Sequence, residues 1–473
     1  MLVAAHHSDQ LDLVGTLCRL APFRGDIGGG HFMRYGRPTG CQTGIRRPCG
    51  FRFIRKGARE SPNPARPTAR GADWAAMRLL ASACVGTLLL SLPTTAMAED
   101  AVPALVEACT APCAGYEVST ELQNDWLFAA NPSVLRSDEL QPTITVDLFF
   151  APTDYLRFVT SIITEPVVEP EPGENMIFEG IGTYLAELYT TVEAGPATVR
   201  AGKFDTIFSL ASEVAPGINA TDLVSDFDAD ERVGAEVVFN FDGLGMDQAL
   251  AATLFTTDRS IFSDSLFTAR GRTRLSDGGA GNTDGLSSLS LVLDGCRGAE
   301  PSDCYLDGDY GYRLGFRYQR AGEPTGEDME EGLTPEDELA YLASATASLQ
   351  MNEMTLRLLG EAAYLRHFDS GPVDAFVLTG SAALELEPLT YVASYTQQLN
   401  LVDSGPDTRQ HLADLEVIYD PDEEHGEGMP FEGTGWKLAA AYTFTRNADE
   451  ETAHIFSVRA VYDFDGDVEF DAP

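Results

Sequence analysis

Apolar and polar residues alternate in runs of about ten along residues 116–464, each run closed by a turn, roughly sixteen times over. Ile144, Val146, Leu148 and Phe150 share one face, with Thr143, Thr145 and Asp147 opposite. Val233, Ala235, Val237, Phe239 and Phe241 oppose Gly234, Glu236, Asn240 and Asp242. The pattern returns in Tyr312, Leu314, Phe316 and Tyr318 against Arg313, Arg317 and Gln319. It returns again in Phe376, Leu378, Ala382, Leu384 and Leu386 against Thr379, Ser381, Glu385 and Glu387, and in Trp436, Leu438, Ala440, Tyr442 and Phe444 against Lys437, Thr443 and Thr445. Side chains on a strand point alternately to opposite faces, so each run presents one apolar face and one polar face. Charges keep to the polar one.

The connections alternate as well. Short turns fall at 151–154, 193–196, 351–354 and 385–388, and long segments at 165–179, 209–232, 260–286 and 321–336. Strands with lipid outside and water inside, joined by short periplasmic turns and long external loops, make a transmembrane antiparallel β-barrel. Closure is required, because an open sheet edge in lipid would strand its backbone polar groups. The expected fold class is therefore all-β, a porin-like barrel of about sixteen strands. Two segments break the short-turn rule, the cysteine-bearing stretch around 296–304 and the acidic 420–433; each is either a long periplasmic turn or a missed strand. Trp126, Tyr155, Tyr305, Tyr391 and Trp436 fall near expected strand ends, where interfacial aromatic girdles belong.

The ends divide the chain. Met77 opens a short positive region (Arg78), an apolar run from Leu79 to Leu92, and Ala96-Met97-Ala98 before Glu99. This has the form of a secretory signal with an A-x-A cleavage site, and its apolar run is too short to span a membrane. Residues 1–76 hold 12 Lys+Arg against 5 Asp+Glu with no sustained period, and read as an extension upstream of the true start. The expected organisation is extension 1–76, signal peptide 77–98, periplasmic N-terminal segment 99–115, barrel 116–464 and C-terminal tail 465–473. The last apolar face, Phe456, Val458, Ala460, Tyr462 and Phe464, ends in aromatics and resembles the terminal strand that the barrel-assembly machinery reads in bacterial outer-membrane proteins; Phe470 is the alternative terminal aromatic.

Charge narrows the partners. Without residues 1–98 the chain keeps 19 basic against 68 acidic residues. So negative a field disfavours nucleic acid and concentrates cations. The expected partners are outer-membrane lipid, small solutes or cations, and further copies of the chain as a homotrimer. Cys109, Cys113, Cys296 and Cys304 form two close pairs in an exported chain, the arrangement of two local disulfides; the spacing is wrong for a zinc ribbon.

No catalytic motif stands out: there is no G-x-S-x-G elbow, no phosphate-binding glycine loop and no metal-spaced histidine pair after residue 98. No cofactor is expected. Two loops carry the chemistry of a pore instead. One holds Asp222, Asp226, Asp228, Asp230 and Glu231; Asp226-Phe227-Asp228-Ala229-Asp230 imitates the start of a calcium loop, but Glu231 occupies the glycine position and no metal site is assigned. This loop is either a solvated acidic segment or one folded into the barrel, where rings of carboxylates select cations. The other loop sets Arg270, Arg272 and Arg274 at alternate positions, either salt-bridged to the acidic loop or forming a basic wall across a constriction.

The stretch Arg200-Ala201-Gly202-Lys203-Phe204 through Ala215-Pro216-Gly217-Ile218, followed by Ser263-Asp264-Ser265-Leu266-Phe267-Thr268-Ala269-Arg270-Gly271-Arg272-Thr273-Arg274, resembles porin-like outer-membrane proteins of proteobacteria. The G-K-F strand before a long acidic loop is also similar to the siderophore-porin group. The resemblance implies a porin-type barrel in the Gram-negative outer membrane and transport of small solutes, with cation preference or, alternatively, uptake of metal chelates. A structural or adhesive barrel closed by its own loops is the rival.

Overall fold

The computed structural model describes residues 110–168, 170–402, 406–421 and 435–470. The expected extension, signal peptide and Cys109 lie outside the described residues.

The strands, in chain order, are β1 (Cys113–Asn131), β2 (Asp138–Thr153), β3 (Leu156–Pro166), β4 (Met176–Ile177), β5 (Ile181–Ala194), β6 (Ala197–Phe204), β7 (Arg232–Gly243), β8 (Met246–Thr257), β9 (Leu266–Phe267), β10 (Ser288–Arg297), β11 (Tyr310–Gln319), β12 (Glu338–Met351), β13 (Met354–Arg366), β14 (Val373–Leu386), β15 (Leu389–Val402), β16 (Thr408–Tyr419), β17 (Trp436–Arg446) and β18 (Thr452–Glu469). β4 and β9 are two-residue additions to β2 and β5. The other sixteen each pair antiparallel with the next, and β18 returns to pair with β1 from Cys113↔Glu469 to Asn131↔Thr452. The ring closes and no barrel strand has a free edge.

The seam runs further than the alternation indicated. β1 begins at Cys113 rather than Tyr116, and β18 continues through 465–469, which were expected to be a tail. Pairing extends the strand: Asp465 lies opposite Glu117 and Asp467 opposite Gly115. Phe470 follows directly, its N–H bonded to the Pro112 carbonyl and its ring edge-on to Phe150, so Phe470 rather than Phe464 is the aromatic at the strand's end.

The cysteine-bearing segment proves to be a turn between two paired strands. Between β10 and β11 a short helix, Cys304–Asp307, is tied back by the Cys296–Cys304 disulfide, and β16 leads directly to β17 across the acidic segment, most of which lies outside the described residues. Cys113 is also disulfide-bonded; its expected partner, Cys109, lies outside them. Trp126, Tyr155, Tyr391 and Trp436 are exposed on the outer surface as a girdle requires, but Tyr305 is not a girdle residue. The disulfide-bound turn folds it inward, where it is buried in the main hydrophobic cluster.

The apolar faces assigned above look outward: Leu148, Phe150, Val237, Leu314, Phe376, Leu378, Phe456 and Val458 are all exposed. Lipid around the barrel makes such a surface stable. Inside, β12, β13 and β14 depart from the expected polar lumen. Ala340, Leu342, Leu359, Ala363, Leu365, Ala375 and Val377 point inward and are buried, because an apolar segment of the chain covers them.

Candidate permeation pathway

That segment is the connection between β6 and β7, residues 205–231. It leaves the wall at Phe204, crosses the lumen and returns at Arg232. Phe208, Leu210, Ala211, Ala215, Ala220, Val224 and Phe227 form one cluster with inward residues of β7, β8, β10, β12, β13 and β14. Burying these side chains is what draws the loop inside, since each apolar group removed from water contributes about 25 cal/mol per Å².

Polar anchors fix where it goes. Ser209 caps the helix Leu210–Val214, its hydroxyl accepting from Ser212 N. Across the barrel, the Glu361 carboxylate of β13 accepts the Ser209 hydroxyl (2.6 Å) and the backbone N–H groups of Leu210 (2.8 Å) and Ala211 (3.0 Å). A carboxylate at a helix start takes up donors that the helix itself cannot pair. Arg313 of β11 donates to Glu213 and Asp294 and to the Ser209 carbonyl. Arg317 lies 4.4 Å over the Phe208 ring and pairs with Glu338. At the tip, Ser394 donates to the Pro216 carbonyl and Asn219 donates to Thr443 and Ser457. Gly217, with φ of 122°, passes so close to β16 that a Cβ there would lie 2.4 Å from an Asp414 carboxylate oxygen. The glycine is needed for both reasons.

Among the described residues, this arrangement leaves one sector of the wall uncovered. Inward residues such as Ser290, Arg317, Thr379, Thr396, Asp414, Thr443 and Ser457, on strands from β10 round to β18, are buried. On β1, β2 and the far end of β18 the inward residues Glu117, Glu121, Asp125, Asp147 and Asp463 are only half-buried, and Asp465 is exposed. Register brings them together: Glu117 lies opposite both Asp147 and Asp465. Arg459 enters this acidic sector, 3.7 Å from Glu121 and 3.6 Å from Glu416. The sequence reading missed the sector. Its signal was acidic residues at successive inward positions, Asp463, Asp465 and Asp467, and at every second inward position, Glu117, Glu121 and Asp125.

The residues singled out beforehand divide. Asp222 is buried within the loop, Asp226 is exposed, and Asp228 accepts a long bond from Ser209 N, at 3.4 Å. Burial pushes the carboxyls of Asp228 and Asp230 up from the usual range. Glu231 is fully buried and receives Lys203 (2.6 Å) and both terminal nitrogens of Arg270 (2.8 and 2.6 Å), with Arg270 stacked 3.7 Å from the Tyr184 ring. Arg272 donates to the Arg259 carbonyl, and Arg274 is exposed. The three arginines do not form one basic wall. Arg270 instead locks the second loop onto the base of the first, because a buried carboxylate needs such partners.

A closed, even-numbered ring, apolar outside and charged within, is found where strands span a membrane. The chain is a transmembrane β-barrel of the outer-membrane type. No protein-family model matches it, and no curated protein does. Solved structures with a similar fold include OmpT of Vibrio cholerae (12% identity, 75% of this chain and 99% of that one, TM-score 0.44), the channel DcaP of Acinetobacter baumannii (11%, 75% and 99%, 0.44) and OprB of Pseudomonas putida (8%, 74% and 94%, 0.49). The likeness is one of fold.

Proposed function

We propose that the chain is an outer-membrane porin for passive diffusion of small hydrophilic solutes, with a preference for cations, and that it has no enzymatic role. The observation that carries this reading is the pairing of an inward loop, pinned to one side of the lumen, with an acidic and water-accessible wall on the other. A narrowed passage lined on one side by Glu117, Asp147, Asp463 and Asp465 attracts cations and repels anions at short range. Among the described residues Arg459 pairs within that sector, with Glu121 and Glu416, and it offsets only part of the charge. A homotrimer remains part of the proposal; chemical cross-linking of the purified protein tests it. Planar-bilayer recording of the folded chain tests the function: stepwise conductance with a reversal potential of cation sign in a salt gradient is expected. Absence of any conductance would transfer the reading to a structural barrel closed by its loop.

A further inference from the structure

The external loop between β8 and β10, residues 258–287, folds around a cavity of about 460 Å³ lined by Arg259, Arg272, Thr273, Arg274 and Leu275. Three arginines therefore line one recess of a chain whose net charge is −41. Arg259 comes from the outgoing limb of the loop, while Arg272 and Arg274 come from the returning limb. Arg272 bridges the limbs, donating Nε (2.9 Å) and Nη2 (2.6 Å) to the Arg259 carbonyl. Arg259 donates to Asp284 (3.2 Å) and to the Thr283 carbonyl (2.9 Å). Asp284 is 83% exposed, so its charge is largely screened. Two polar atoms of the lining, Arg259 Nε and Thr273 Oγ1, are buried and lack a hydrogen-bond partner among the described residues. Buried polar atoms cost free energy unless something compensates them, and so do like charges gathered in one recess.

We propose that this recess binds a phosphate monoester group. Guanidinium presents paired donors that match phosphate oxygens, and a dianion neutralises two of the three arginines. A phosphate also has enough oxygens to accept from the three cations and from the Thr273 hydroxyl together, whereas a carboxylate has only two. The same chemistry could arrive on a dissolved solute or on a phosphorylated lipid headgroup. The acidic wall of the lumen plays no part in this site, so the proposal stands independently of ion selectivity.

The test is isothermal titration of inorganic phosphate into the detergent-folded full chain, comparing wild type with Arg274→Gln and Arg320→Gln. Both substitutions remove one positive charge from an exposed position, but only Arg274 lines the recess. Heat-modifiable gel mobility establishes that each variant is folded, and Arg259→Gln serves in place of Arg274→Gln if the latter is not. Binding weakened about tenfold by Arg274→Gln and unchanged by Arg320→Gln is expected. No binding to wild type, or equal binding by all three proteins, would overturn the proposal. Reconstitution into phosphatidylcholine vesicles with and without phosphatidic acid distinguishes the sources: competition by phosphatidic acid assigns a lipid headgroup, and undiminished phosphate binding assigns a dissolved solute.

Discussion

Glu361 caps a helix whose N-cap, Ser209, lies 152 residues away in sequence, taking the Ser209 hydroxyl at 2.6 Å on one carboxylate oxygen and two backbone N–H groups on the other. The Ser344 hydroxyl donates to it as well, at 2.7 Å. This one side chain joins the wall to the loop, and the position of the loop decides how wide the lumen is.

Replacing Glu361 with Ala should release the start of the loop. It orphans several buried donors, at about 1–3 kcal/mol for each such loss. The barrel itself should still assemble, because the strand ladders do not depend on Glu361. Larger and noisier single-channel currents are expected from the variant, with a lower melting temperature. Currents identical to wild type would mean that the apolar cluster alone holds the loop.

Acidity should hold the same loop more firmly. Asp228 faces Ser209, Ser212, Glu213, Glu361 and Arg317, and burial raises its carboxyl to about 7. A carboxyl whose pKa is higher in the folded state favours that state when protonated. Its contribution is complete below the usual value of 3.8 and is lost as pH rises through about 7. The loop should therefore resist proteolysis better at pH 5 than at pH 8. Asp228→Asn should flatten that dependence; a dependence left intact would assign it to Asp205 or Asp230, whose carboxyls burial also raises.

The faces of the last strand make a separate test. Val458 is exposed on the outer surface, and Arg placed there should cost about 2–4 kcal/mol near the bilayer midplane. From the alternation alone, Arg459→Ser would be harmless. The structure adds a consequence: Arg459 is a shared partner of Glu121 and Glu416, so Ser should leave the lumen more acidic without blocking assembly. Folding yield, read by heat-modifiable mobility, should fall for Val458→Arg and hold for Arg459→Ser.

Strand periodicity was legible because a period of two survives any tertiary detail. Val237 and Glu236 could be assigned to opposite faces from position alone, and the structure agrees. The path of the loop was not legible, since acidic residues such as Asp226 and Asp228 read equally well as solvated. Its apolar half, with Phe208, Leu210 and Phe227, was the better guide. So were Ala340-Tyr341-Leu342-Ala343 and Ala375-Phe376-Val377-Leu378, apolar on both faces where a water-filled lumen requires alternation. Such double-sided runs belong to strands buried on both faces. Glu361 gave no signal of its own, because any inward strand position tolerates a glutamate.

Selectivity should follow the wall rather than the loop. Of the five loop carboxylates singled out from the sequence, Glu231 is neutralised by Lys203 and Arg270 and Asp222 is buried, whereas Glu117, Asp147, Asp463 and Asp465 remain within reach of water. Two variants separate the sources, Asp226→Asn/Asp228→Asn/Asp230→Asn in the loop and Glu117→Gln/Asp147→Asn/Asp465→Asn on the wall. Salt separates range from contact: the Debye length falls to about 3 Å at 1 M, which removes the influence of a distant acidic vestibule but not that of carboxylates lining the narrow passage. Reversal potentials at high salt should shift toward zero in the wall variant and stay near wild type in the loop variant. The reverse ordering would return the constriction to the loop carboxylates, and loss of selectivity at high salt in wild type would place its origin in the net charge of the chain.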